Sequence, residues 1–165
     1  MRKLNIALVA HDSRKQELFE WCQHNAEWLD NHNLYATGTT AKTLSTVTII
    51  NDTSKLPAGQ ITSSWYAKGL SVKPLLSGPL GGDQQIGAML AEGMIDVLIF
   101  FCDNLITQGH QQDVGALTRL AALYNIAFAT NRTTADMIIT SPLITDDNYK
   151  MEIPDVIEKY KNRNI

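Results

Sequence analysis

At 165 residues the chain has room for one domain and little more. Hydrophobic residues make up 44% and charged residues 19%, which excludes a disordered chain; the formal net charge of −3 removes the basic excess that would favour nucleic acid. The opening apolar run stops at Ala10, too short for a membrane span and without a signal-cleavage context, so a cytoplasmic protein with no membrane partner is expected.

Strand and helix signals alternate along the chain. Leu4 to Ala10 reads as a central parallel strand covered on both faces. Residues 12–30 then change period: Leu18, Trp21, Cys22, Asn25 and Leu29 share one helical stripe, and Asp12 or Ser13 is placed to cap it. Asn33 to Thr37 is a short strand, and Thr39 to Val47 starts as a turn and leads toward a helix. Val47–Ile50 and Ile61–Tyr66 are β-prone around a polar Pro- and Gly-containing turn, so a surface hairpin is expected there. Val72 to Leu76 is the next strand, Gln84 to Glu92 a helix ended by Gly93, and Ile95 to Cys102 the strongest strand of all. Val114–Tyr124 and Thr133–Thr140 read as helices on either side of a strand at Ile126–Ala129. Tyr149–Ile153 reads as a last strand, with Pro154 in the first turn of a closing helix. No repeat or composition break divides residues 1–165. The expected fold is a three-layer α/β domain with a mainly parallel central sheet. Cys22 and Cys102 sit in separate apolar runs and read as buried free thiols.

In such a fold ligands bind beyond the carboxyl ends of the strands. His11, Asp12 and Lys15 follow the first strand. Thr37, Gly38, Thr39 and Thr40 follow the second. Ser77, Gly78 and Asp83 follow the strand at Val72, and Asp103, His110 and Asp113 follow the strongest one. Glycine amides and threonine hydroxyls beside a lysine suit a phosphate group. Neither GxxxxGK[ST] nor GxGxxG is present, so a small phosphorylated substrate is favoured over ATP or NAD. Asp83, Asp103 and Asp113 are candidate acid–base groups, because a bound phosphate raises the pKa of a nearby carboxylate and strengthens it as a base. A neutral His110 is suited to donate to an oxygen that becomes an enediolate. The histidine spacings match no zinc motif, and His24 and His32 read as surface residues, so no metal is expected.

Together these residues resemble the methylglyoxal synthase family. The resemblance rests on Ile6 to Asp12 with Lys15, Leu34 to Thr40, Leu76 to Gln85, Ile95 to Phe101, and Ala129 to Asn131 with Thr134 to Asp136. The block Ser77-Gly78-Pro79-Leu80-Gly81-Gly82-Asp83-Gln84-Gln85 is the specific part. The resemblance implies a cofactor-free lyase that converts dihydroxyacetone phosphate into methylglyoxal and inorganic phosphate, a bypass of glycolysis. It implies Asp83 as the general base, His110 on the substrate oxygens and Asp113 in support of proton transfer. Lys15, Thr37, Thr39, Thr40, Ser77 and Gly78 match the phosphate-holding group, and His11 and Asp12 match pocket-lining residues. Arg163 lines up with an arginine that helps phosphate binding from a neighbouring subunit. A homohexamer, allosterically inhibited by phosphate, is likewise implied.

Three features depart from the family pattern. About twenty extra residues lie between Thr40 and Leu76, read as an inserted surface segment at about 46–68, which costs little in closure entropy. Asn104 stands where the family often has proline. The run Gly109-His110-Gln111-Gln112-Asp113 also lacks the prolines common in that loop, which makes it less stiff. Two rivals remain: another small sugar-phosphate isomerase or lyase, separable by product analysis, and a non-catalytic phosphate-sensing domain, which needs no base.

Overall fold

The structure, a computed structural model, describes residues 2–52, 65–105 and 111–163, with side chains except at 50–52, 65–67 and 111–113. Strand β1 (Asn5–Ala10) is buried from its second residue onward. Its side chains divide by parity, as a strand covered on both faces requires: Ile6, Leu8 and Ala10 enter one core, Ala7 and Val9 the other. β6 (Val97–Phe101) divides the same way. The first core is closed by α1 (Lys15–His24), α2 (Ala26–Leu29), α3 (Gly38–Leu44) and α6 (Arg132–Thr140), through Leu18, Trp21, Leu29, Leu44 and Ala135. The second is closed by α4 (Gly82–Ala91) and α5 (Gln111–Leu123), through Ile86, Leu90, Leu117 and Ala121. This is the expected three-layer architecture.

With β2 (Asn33–Ala36), β5 (Val72–Pro74) and β7 (Ala127–Ala129), the central sheet has the order β5-β2-β1-β6-β7, and every pair in it is parallel. The chain steps outward from β1 to β2 and β5, then crosses to β6 on the other flank of β1. The direction therefore reverses between β1 and β6, which opens a crevice beyond their carboxyl ends.

Several local expectations are corrected. The stripe over 12–30 is not one helix. A 3-10 turn at Asp12–Arg14 precedes α1, and the helix breaks at Asn25. The Asn25 side-chain amide donates to the Trp21 carbonyl at 2.9 Å, the local backbone bonding by which asparagine competes with a helix. Neither Asp12 nor Ser13 forms a side-chain cap, since the N-cap positions are His11 and Arg14. His32 is buried rather than on the surface: its Nδ1 accepts the Leu4 N–H at 3.2 Å and its ring packs edge-on against Trp28. Burial, with Lys3 nearby, holds its pKa below the usual histidine value. Residues 149–153 form no strand. Tyr149 and Ile153 remain 42% and 55% exposed, and beside β7 the Glu152 carbonyl accepts from the Asn125 side-chain amide at 3.0 Å instead of a strand backbone N–H. Pro154 caps α7 (Asp155–Lys161) from just outside its first turn.

The β-prone stretches form an antiparallel pair, β3 (Thr48–Asp52) with β4 (Trp65–Gly69), separate from the central sheet. The second strand runs later than Ile61–Tyr66; residues 53–64 lie outside the described residues. The pair is tied to the helices. Gln23 donates to the Thr48 carbonyl at 2.6 Å and accepts its N–H at 3.1 Å, and Lys68 meets Asp30 at 2.5 Å. Both cysteines are free thiols, Cys22 buried and Cys102 half-buried, and burial pushes the Cys102 pKa up to about 11.

Candidate active site

A cleft of about 160 Å³ occupies the crevice beyond β1 and β6. Its polar lining is His11, Asp12, Lys15, Thr37, Thr39 and Asp83, with Gly78 and Pro79 at one side. Val9, Phe100 and Val114 are among its apolar walls.

His11 continues the sheet pairing by one step, its N–H donating to the Phe101 carbonyl at 3.2 Å. The Asp103 backbone N–H, which can only donate, meets His11 Nδ1 at 2.7 Å. A neutral ring therefore carries its proton on Nε2. That nitrogen is buried and has no acceptor among the described residues. Lys15 enters from the first turn of α1, its Nζ donating to Asp12 Oδ1 at 2.5 Å and to Thr39 Oγ1 at 2.8 Å. The hydrogen bond and charge of Lys15 hold the Asp12 carboxyl below its usual pKa.

Thr37 caps the start of α3, and its hydroxyl donates to Thr40 Oγ1 at 3.2 Å. Thr40 is buried behind Thr37 and is not part of the cleft lining. Gly38 differs from expectation in one respect: its N–H is taken by the Leu76 carbonyl at 3.0 Å, so that amide is not open to an anion. Ser77 also lies outside the lining. It starts the 3-10 turn Gly78–Leu80, and its carbonyl accepts the N–H groups of Leu80 and Gly82 at 2.9 and 3.0 Å. Gly81 then takes φ +101°, a left-handed conformation glycine adopts without strain, and turns the chain into α4. Asp83 thus stands in the first turn of α4, its carboxylate against Gly78.

His110 lies outside the described residues. Asp113 belongs to α5, but its side chain is likewise outside them. Arg163 is not brought to the cleft by its own chain; its guanidinium lies 4.9 Å from the centre of the Tyr160 ring. The Asp103 carboxylate accepts from Ser13 Oγ at 2.6 Å and from the Leu105 N–H at 3.0 Å, and is not part of the lining. Sequence reasoning passed over the apolar walls, although Val9 and Phe100 share one face of adjacent strands. It also gave no role to Gln85, which accepts the Leu76 N–H at 2.8 Å. Among the described residues no helix is long and apolar enough to cross a membrane, and no group of three or more His, Cys, Asp or Glu is placed to hold a metal.

The MGS-like domain family matches residues 17–130. The methylglyoxal synthase of Proteus mirabilis is 47% identical over 159 residues, covering 96% of this chain and 91% of the relative. The chain belongs to the methylglyoxal synthase family. The methylglyoxal synthase of Vibrio campbellii, 46% identical over 151 residues, covers 92% of this chain and 86% of its own. The crystal structure of methylglyoxal synthase from Elizabethkingia anophelis superposes with a TM-score of 0.78 at 42% identity, covering 99% of this chain and 93% of that one. Family membership therefore extends over the whole fold, both flanks of the crevice included.

Proposed function

We propose that the chain is a carbon–oxygen lyase that converts dihydroxyacetone phosphate into methylglyoxal and inorganic phosphate. The observation that carries this reading is one cleft that Asp83 lines together with Lys15, Thr37 and Thr39. A carboxylate base and a phosphate-binding group lining one small cleft suit a three-carbon phosphate. Identity of 45–48% with curated methylglyoxal synthases supports the same reaction.

Lys15, Thr37, Thr39 and Gly78 hold the phosphate, with Thr40 and Ser77 supporting them from behind. Phosphate binding draws the Lys15 ammonium from Asp12 toward a second anion. Asp83 removes the proton from the hydroxymethyl carbon next to the ketone, and the electron pair moves onto the carbonyl oxygen as an enediolate. His11 Nε2–H is a donor suited to a substrate oxygen; His110 has the same role from the loop before α5, with Asp113 in support. The hydroxyl on that carbon then gives up its proton and closes to an aldehyde carbonyl, the C=C pair shifts toward the phosphate-bearing carbon, and the C–O bond breaks, phosphate leaving with the bond pair and taking up a proton. The remaining enol takes up a proton to become methylglyoxal. No step calls for an organic cofactor or a metal.

The wider reading is a cytoplasmic homohexamer on a bypass of glycolysis, with phosphate as product and allosteric inhibitor and Arg163 reaching a neighbouring site. The test is to incubate purified protein with dihydroxyacetone phosphate and measure methylglyoxal and phosphate together. Equal release of both is expected. Glyceraldehyde 3-phosphate as the sole product would make the chain an isomerase, and phosphate binding without turnover would make it a sensor.

A further inference from the structure

Leu76 occupies the junction between the two halves of the cleft, yet its side chain is 49% exposed and packing does not hold it. Its place is set by two backbone hydrogen bonds. Its carbonyl accepts the Gly38 N–H at 3.0 Å, which ties it to the start of α3 and the Thr37–Thr39 wall. Its N–H donates to Gln85 Oε1 at 2.8 Å, which ties it to α4, the helix that carries Asp83. Gly82 lies so close that a Cβ there would fall 2.0 Å from the Leu76 carbonyl oxygen. Leu76 is therefore a strut between the phosphate wall and the helix of the base; its N–H is held to α4 by one exposed side chain, beside the Gly82 N–H bond to the Ser77 carbonyl.

We propose that Gln85 is a positioning residue that sets the spacing between the phosphate-binding wall and Asp83. It does not line the cleft, so it acts only through Leu76. Without its oxygen the Leu76 N–H turns to water, and residues 76–78, still bonded to Gly38, lose part of their hold on α4 and with it the fixed spacing between the wall and Asp83. The inference rests on the reading of this cleft as a phosphate site.

The test compares Gln85→Met, which keeps the length and removes the acceptor oxygen, with Gln85→Glu, which keeps it. The carboxylate's added charge is on an exposed side chain and is screened by salt. In Gln85→Met, KM for dihydroxyacetone phosphate and the Kd for inorganic phosphate by calorimetry are expected to rise together by about tenfold, since small misplacements at a reacting centre are costly. The pH profile of kcat stays unchanged, because the base itself is untouched, and Gln85→Glu restores most of the affinity. A merely structural role would lower Tm and leave phosphate affinity intact. The inference is overturned if folded Gln85→Met binds phosphate and substrate like the wild type, or if Gln85→Glu is as impaired as Gln85→Met at 0.15 M salt. Amide hydrogen exchange at Gly38 and Leu76, faster in Gln85→Met and not in Gln85→Glu, reads the strut even in a chain that fails the lyase assay. The two readings thus fail separately.

Discussion

Asp83 reaches the cleft because residue 78 has no side chain. A Cβ on Gly78 would stand 2.9 Å from Asp83 Oδ2, closer than such contacts tolerate. The carboxylate can swing aside at little cost, so Gly78→Ala is expected to unfold near the wild-type temperature and to lose about tenfold or more in kcat through misplacement of the base. Unchanged kcat together with unchanged Tm would show that the carboxylate does its work elsewhere. Asp83→Asn keeps the shape and removes the base; turnover and solvent proton exchange at the hydroxymethyl carbon should fall about 10²–10⁴-fold. Near-normal kcat in a preparation free of host enzyme would dismiss the assignment. The glycine-rich block made the place of Asp83 in the cleft legible in the sequence, because a residue just after a glycine turn at a strand end falls at the carboxyl edge of the sheet. The Gly38 amide was misjudged for the opposite reason. Whether a backbone N–H is open or taken depends on a carbonyl 38 positions away, Leu76, which no local pattern announces.

The β3–β4 pair is fastened to the helical layer by Gln23 and Asp30, and none of its described side chains lines the cleft. Replacing residues 50–66 by a short Gly/Ser link is therefore expected to keep substantial activity. A correctly assembled variant whose kcat/KM fell more than about 100-fold would place the segment in the active site. His32, at the junction of α2 and β2, supplies a pH dependence. Its folded pKa is lowered, so its neutral form is favoured in the native state. The stability it contributes is present above its unfolded pKa of about 6.5 and is lost as pH falls through the lower folded value. His32→Gln should flatten that acid limb of a Tm–pH curve; an unchanged slope below pH about 6.5 would remove His32 from the account. Element types were mostly readable because parity in strands and stripes in helices report burial. The helix break at Asn25 was not, since it turns on one side-chain hydrogen bond within an otherwise continuous stripe.

Across the whole molecule the cleft end of the sheet is built from β1, β2, β5 and β6, and the switch between β1 and β6 makes their loops converge. Acid–base groups and a cationic wall are sufficient for the proposed elimination. Turnover should therefore survive prolonged treatment with a strong chelator; loss restored by one equivalent of a divalent ion would overturn the metal-free mechanism.

The sequence by itself determined the three-layer α/β class, the carboxyl-end location of the polar residues and, through the Ser77–Gln85 block, the family. These follow from periodicity and from motifs contiguous in the chain. Only the tertiary structure decided that Thr40 stands behind Thr37, that Arg163 lies away from its own cleft, that His32 is buried, and that Gln85 reaches Leu76. Each of these depends on which surface a side chain meets once distant segments pack. Contacts across dozens of residues are set by strand order and helix docking, which no local spacing records.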